Sequence, residues 1–257
     1  MKRIRFEDKY DVEYIIREYV NGRNTKSIAN ELGTYNTSIR RVLLRNNIVP
    51  RDPSEALKTV KDTIFTCMSE EAQYWIGYII ADGTIGNNDN SISLSTVEKD
   101  KDHLNRYSIF TGVKIHKVLK KKFNLYEYRV SFRNKSLKKW FISQGITSNK
   151  SFNIKLGIPL TASIVRGIFD GDGYVSKTGN TIEIATASIN LVIQLYNYLL
   201  SNNIHTTFSK ASTSSVYILR ICKLKEREKF FNLIYKDAST YLKRKYDRIY
   251  APLFGNL

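Results

Sequence analysis

Two nine-residue segments constrain this chain more than any other feature: Trp75-Ile-Gly-Tyr-Ile-Ile-Ala-Asp-Gly83 and Val165-Arg-Gly-Ile-Phe-Asp-Gly-Asp-Gly173. Each is apolar for most of two helical turns, carries Gly at its third place and ends in Asp-Gly. One Asp-Gly is a common turn signal, but agreement at the third, eighth and ninth places of two such segments is not. The agreement runs on downstream. Adding 90 to the residue number takes Asp82 to Asp172, Ile85 to Val175, Asn90 to Asn180, Ile92 to Ile182, Leu94 to Ile184 and Thr96 to Thr186, with no gap. Two copies at so long a period make an internal duplication and not a solenoid. The expectation is two similar half-domains that share a pseudo-twofold interface.

The spacing within the segments says how they would meet. Gly77 and Ala81, and likewise Gly167 and Gly171, are small residues four apart on one helical face. Such a stripe lets two helices pack nearly backbone to backbone. About a twofold axis their C-terminal ends would converge and bring Asp82 and Asp172 together. Two carboxylates there would repel, at the helix ends that prefer cations. Divalent metal removes both objections, and the terminal carbonyls of Ala81 and Gly171 add oxygen ligands. Such a hard oxygen set on a DNA-binding surface favours Mg2+, with Mn2+ as the alternative. Metal held there can activate water and stabilise the leaving oxygen of a phosphodiester. The plain alternative, two helix-ending turns, does not explain the duplicated helix before each turn.

Charge names the partner. The 257-residue chain has a formal net charge of +17. Residues 1–66 hold 13 Lys and Arg against 9 Asp and Glu, and the remainder 28 against 15, so the positive field lies mostly on the duplicated part. Nucleic acid is the expected polyanion. Hydrophobic residues at 42% supply ample core and exclude a disordered chain. Cys67 and Cys222 stand far apart with no CxxC, which argues against a disulfide framework or zinc site. His103, His116 and His205 form no ligand pattern and are expected on the surface or in strands. No signal-like run opens the chain, no intein splicing residues frame it, and no apolar stretch spans a bilayer. An intracellular, unsecreted protein without membrane partner or small-molecule cofactor is expected.

The paired motifs resemble the LAGLIDADG homing endonucleases in their single-chain, two-motif form, over roughly residues 69–250. The resemblance implies a monomer in which Asp82 and Asp172 coordinate metal and each drives cleavage of one strand. The sixth motif place is acidic only in the second copy (Asp170; Ile80 in the first), so Asp170 receives no catalytic role. A basic residue near the last strand of each repeat is also implied. Arg133 or Lys135 stands there in the first half and Lys223 or Lys225 in the second, with Lys135 and Lys223 preferred. The implied target is double-stranded DNA, a long, nearly non-palindromic duplex cut on both strands. A non-cleaving DNA-binding regulator, or a maturase assisting intron RNA folding, is the competing role on the same scaffold.

Periodicity fills in the rest. Residues 1–48 read as a small all-α helix-turn-helix domain. Val12 to Val20 form a first helix, Thr25 caps a second bearing Ile28, Ala29 and Leu32, and Gly33 makes the turn. Asn36 or Thr37 caps a third, which turns Asn36, Thr37, Ser38, Arg40, Arg41 and Arg45 outward to suit base edges and phosphates. A helical cap for protein interaction is the alternative. Residues 49–68 read as a linker with a short helix near Ser54–Lys61. Residues 69–157 and 158–257 form the two repeats, each αββαββα, in an α+β fold with antiparallel sheets. Ser69 caps the first motif helix, which runs to Ala81. In the strand around Tyr126–Arg133, Tyr126, Tyr128, Val130 and Phe132 face one way, Glu127, Arg129, Ser131 and Arg133 the other. The outward Arg129, Ser131, Arg133 and Arg220 are candidate DNA contacts. A basic helical tail follows, with Lys243, Arg244, Lys245 and Arg248.

Overall fold

The computed structural model describes residues 9–50, 60–120, 124–212 and 214–255. The chain divides into two compact units, Met1–Ala56 and Leu57–Leu257.

Among its described residues the first unit has the helices α1 (Val12–Val20), α2 (Thr25–Glu31) and α3 (Asn36–Arg45). Ile15, Tyr19, Ile28, Ala29, Ile39, Val42 and Leu43 close its core. Gly33 takes φ +59° in the turn between α2 and α3, a backbone that disfavours side chains. Two expected caps move by one residue. Asn24, not Thr25, caps α2, its side chain accepting from Ser27 N at 2.8 Å. Both are cap-forming types, and Thr25 already has helical geometry. Tyr35, not Asn36 or Thr37, stands at the N-cap of α3 and offers no side-chain bond, because Asn36 is already the first helical residue. Of the short helix expected near Ser54–Lys61, residues 54–59 lie outside the described residues, and Val60 and Lys61 are not helical.

The second unit opens with a short turn, α4 (Thr63–Thr66), and then runs through two like halves. The first is α5 (Glu70–Asp82), β1 (Thr84–Ile85), β2 (Ser91–Thr96), α6 (Lys101–Thr111), β3 (His116–Lys120), β4 (Leu125–Arg133) and α7 (Lys135–Ser143). After the single turn α8 (Lys150–Asn153) the second is α9 (Ala162–Asp172), β5 (Gly173–Val175), β6 (Ile182–Thr186), α10 (Ile189–Ser201), β7 (Thr207–Lys210), β8 (Tyr217–Ile221) and α11 (Leu224–Tyr235). A further helix, α12 (Lys243–Phe254), has no counterpart in the first half. The sheets are antiparallel and share one order, β1-β2-β4-β3 and β5-β6-β8-β7. This is the α+β fold of two αββαββα repeats that the duplication predicts.

Local chemistry sets the helix starts. Ser69 Oγ accepts from Ala72 N at 3.2 Å, with Glu70 and Glu71 in the first turn where the dipole favours acids. Thr161 caps α9 and also donates to Gln73 Oε1 at 2.6 Å, tying the start of one motif helix to the other. The α5 helix extends one residue past Ala81, so Asp82 is its last residue and Gly83 its extended cap.

Alternation places the sheets. Tyr128, Val130 and Phe132 are buried while Arg129 and Ser131 are half-exposed, as the pattern predicts. Tyr126, expected inside, is 53% exposed, because β4 outruns the core there and Lys117 Nζ lies 4.0 Å from its ring centre. His103, expected on the surface or in a strand, is instead buried in α6 against Tyr74 and Trp75. Among the described residues no helix is long and apolar enough to cross a membrane.

Candidate active site

The site begins at the crossing of α5 and α9. A methyl group on Gly77 would overlap the Ile164 carbonyl and lie 3.0 Å from Gly167 Cα. One on Gly167 would overlap the Tyr74 carbonyl and approach Tyr78 N to 2.6 Å. One turn on, a methyl at Gly171 would overlap Ala81 Cβ and stand 3.5 Å from Asp82 Oδ2. The helices therefore touch through backbone at Gly77 and Gly167, and through the Ala81 methyl at Gly171. Their C-terminal ends meet, with the Asp82 carboxylate beside the residue that precedes Asp172. Asp172 and Ala81 also line one cavity of about 230 Å3, walled by Ile80, Ile154, Thr186 and Val216.

The helix ends carry negative potential, and the chain answers it with its own cation. Lys245, buried on α12, donates to Phe169 O at 2.8 Å and Gly171 O at 3.0 Å. Burial lowers its pKa to about 8, against the upward pull of Asp170, Asp82 and Asp172. Tyr78 is held above its ordinary value by burial first and then by Asp82. A cation on terminal carbonyls beside two carboxylates is what this electrostatic setting selects. The oxygen donors of Asp82, Asp172, Ala81 and Gly171 therefore suit a hard divalent ion, although Lys245 already engages one of them. Among the described residues no group of three His, Cys, Asp or Glu gathers as a metal site.

Asp170, unassigned from sequence, is fully buried. It accepts from Tyr235 OH at 2.6 Å, Leu242 N at 2.6 Å and Tyr74 OH at 2.9 Å. Burial pushes its pKa up to about 6 against those hydrogen bonds. Tyr74 spends its proton on Asp170 and so accepts from His103 Nε2 at 2.7 Å. Arg166, also buried, donates to Thr240 O at 2.8 Å and Ile234 O at 2.7 Å and pairs with Glu70. This polar web fastens the segment before α12, and so Lys245, against the motif helices. Sequence reasoning missed it. Its signal was an Asp and an Arg inside a motif that is otherwise apolar.

Register places the remaining candidates. Ile92 faces Phe132 on β4, and the equivalent Ile182 faces Ile221 on β8. Ser131 and Arg220 are thus equivalent, as are Arg129 and Ile218. The same count sets Asn134 opposite Lys223, so Lys135 and Lys223 are not symmetry mates. Both are exposed at the start of the helix that follows the last strand, Lys135 as the first helical residue and Lys223 as the N-cap. Arg129 bonds Ser95 Oγ at 3.0 Å and Glu127 at 3.3 Å; Arg220 bonds Glu183 at 2.7 Å and Ser209 Oγ at 3.0 Å. Arg133 lies 3.8 Å from Asp89. In the first unit Asn36, Thr37, Arg41 and Arg45 are exposed and Arg40 is half-buried. Tyr35 beside them, 80% exposed, was missed.

Residues 160–235, within the second repeat, match the model of the LAGLIDADG-like domain family. The paired repeats have the LAGLIDADG fold: the meganuclease I-SmaMI, bound to uncleaveable DNA, superposes with a TM-score of 0.50 at 13% identity, over 68% of this chain and 87% of that one. Full-length DUF199/WhiA from Thermatoga maritima gives 0.49 at 15% identity, over 73% and 61%. The homing endonuclease I-DmoI with DNA and Ca gives 0.48 at 20% identity, over 66% and 91%. The sequence matches no curated protein.

Proposed function

We propose that this chain is a site-specific, divalent-metal-dependent DNA endonuclease that cuts both strands of a long, nearly non-palindromic duplex. The observation that carries the reading is the backbone-close crossing of the two motif helices, at whose end the Asp82 carboxylate lies beside Gly171, the residue before Asp172. A stable fold gains nothing from two acids at converging helix ends, whereas phosphodiester hydrolysis needs such an oxygen cluster. The charge of +17 and the DNA-bound state of I-SmaMI support the same partner.

In this reading Asp82 and Asp172, with the carbonyls of Ala81 and Gly171, hold Mg2+ or Mn2+. When bound, the ion neutralises phosphate charge and lowers the pKa of attacking water. Lys135 and Lys223 place positive charge at the edge of each half. Arg129, Ser131, Arg133 and Arg220 lie on the polar sheet faces and contact bases or phosphates; their present carboxylate partners hold the guanidiniums in place until DNA arrives. The first unit acts as a helix-turn-helix, presenting Asn36, Thr37, Arg40, Arg41 and Arg45 to an adjoining groove. The protein works as an intracellular monomer.

One observation favours the non-cleaving alternative, a DNA-binding regulator or intron RNA maturase: Lys245 already supplies a cation to Gly171 O. Cleavage of a randomised duplex library, enriched in DNA flanking the gene, separates the two. With Mg2+ the protein yields discrete double-strand breaks. Asp82→Asn and Asp172→Asn alone each reduce these to nicks, and the double variant cuts nothing. Unchanged double-strand cutting by both single variants would sink the assignment, and tight binding without breaks moves it to the regulator or maturase.

A further inference from the structure

The basic tail is not a tail. As α12 it packs onto the second repeat and bridges to the first. Arg244 grips the buried Asp100 of the first half with two bonds, of 2.7 and 2.9 Å, while Lys245 reaches the end of α9. Between α12 and β5 lies a cleft of about 350 Å3 lined by Lys99, Gly173, Tyr174, Val175, Arg244, Lys245 and Arg248. Its only charged walls are cations. Arg244 is engaged by Asp100 and Lys245 by carbonyls, so Lys99 and Arg248, both exposed, are the groups that can turn to a ligand.

The cleft's position is as informative as its charge. Gly173 follows Asp172 directly, so one wall is the end of the motif helix. Tyr174, 53% exposed, stands opposite Glu183, which stands opposite Arg220. Cross-strand partners share a face, so Tyr174 carries the polar face bearing Arg220 out to the sheet edge, where β5 meets α12. The cleft therefore begins one residue past Asp172 and adjoins the polar face of the second sheet.

We propose that this cleft binds a backbone phosphodiester of the nucleic acid, held directly by Lys99 and Arg248. Arg244 and Lys245 keep the pocket positive, and Tyr174 closes its outer side. The assignment rests on the reading of DNA as partner, and it makes α12 a part of the recognition surface that the two repeats alone would lack. One phosphate is gripped by one residue of the first half and one of α12.

The test is equilibrium binding of a fluorescent duplex without divalent metal, so that it reads nothing of cleavage, across a salt series. Removing one phosphate contact lowers the slope of log K against log salt by about 0.9, roughly eightfold in affinity near 0.1 M salt. Arg248→Ala and Lys99→Ala each show this loss, and the pair together lose no more than one further contact. Lys236→Ala, an equal charge change on an exposed residue at the end of α11, leaves the slope unchanged. All variants keep the unsubstituted protein's melting temperature, since the replaced side chains are exposed. Unchanged slopes for Arg248→Ala and Lys99→Ala, or an equal loss for Lys236→Ala, overturn the cleft but leave the nuclease reading intact. No salt-dependent binding by the unsubstituted protein overturns both. A melting temperature raised by inorganic phosphate through Lys99 and Arg248, without an effect on duplex binding, would make this a small-anion site and overturn the assignment to nucleic acid.

Discussion

Gly77 and Gly167 each face backbone across the helix crossing, with no flexible side-chain end to give way. Adding a single methyl must therefore separate α5 from α9. Gly77→Ala is expected to cost about 2–4 kcal/mol, at or above the upper range for overpacked cores, read as a fall in the denaturation midpoint. A loss under about 0.5 kcal/mol would contradict the crossing. Two buried titratable groups nearby act in opposite senses. Burial, and then Arg106, lowers the pKa of His103 from 6.5 to about 3. Its contribution to stability is complete above pH 6.5 and is lost as pH falls toward 3. Asp170 rises from 3.8 to about 6, so its contribution is complete below 3.8 and is lost as pH climbs through 6. At about 1.4 kcal/mol per pH unit, each is on the order of a few kcal/mol. Between pH 4 and 6 they offset one another. His103→Gln is expected to gain stability on acidification across that window and Asp170→Asn to lose it, by denaturant titration at each pH. Identical pH profiles for both variants and the parent would refute the network.

Among the elements, α12 also docks through single positions. Gly179, in the β5–β6 turn, has φ +71°, and a methyl there would overlap the Pro252 ring of α12. Arg227 of α11 holds the same turn by donating to the Gly179 carbonyl at 2.5 Å. Gly179→Ala should cost about 1–3 kcal/mol from left-handed strain and overlap. Adding Pro252→Ala should recover the overlap part alone, and strict additivity in the double-mutant cycle would show that the two do not touch. The αββαββα repeats were legible because the duplication supplies its own register: Ile92 and Leu94 in one half fix Ile182 and Ile184 in the other. The helix crossing was legible because small residues four apart leave few other uses. The place of α12 was not. Its residues have no copy in the first half, and nothing in Lys243–Arg248 tells a solvated basic helix from one that buries Lys245. The Asp170 web failed to show for the same reason, since its donors come from positions 74, 235 and 242, which are near only after folding. The cap at Asn24 moved because Asn24 and Thr25 are both cap-forming types, between which backbone geometry decides. At α3 the helix starts with Asn36 itself, which leaves the cap position to Tyr35, a residue without a capping side chain.

At the scale of the whole molecule, charge is divided as unevenly as structure. Residues 1–56 carry a net +3 and residues 57–257 a net +14. The larger unit holds its own continuous core from Val60 to Ile249. A chain starting at Leu57 is expected to unfold in one cooperative transition and to keep most of the salt dependence of duplex binding, because that slope counts phosphate contacts. Loss of most of the slope with the first 56 residues would place the DNA surface on the small unit. The asymmetry inside the large unit bears on descent. Subtracting 90 from Asp170 gives Ile80, and adding 90 to its donor Tyr74 gives Ile164. A pair made of two second halves would bury two carboxylates, each keeping Tyr235 and Leu242 but meeting an isoleucine in place of the Tyr74 hydroxyl. A pair made of two first halves would have no acid for Tyr74 to serve. That exchange disfavours either half as a homodimer, because each pairing leaves a buried polar group one partner short. The fusion of the two copies is thus recorded in a single buried side chain, which each copy alone would leave without its partner from the other.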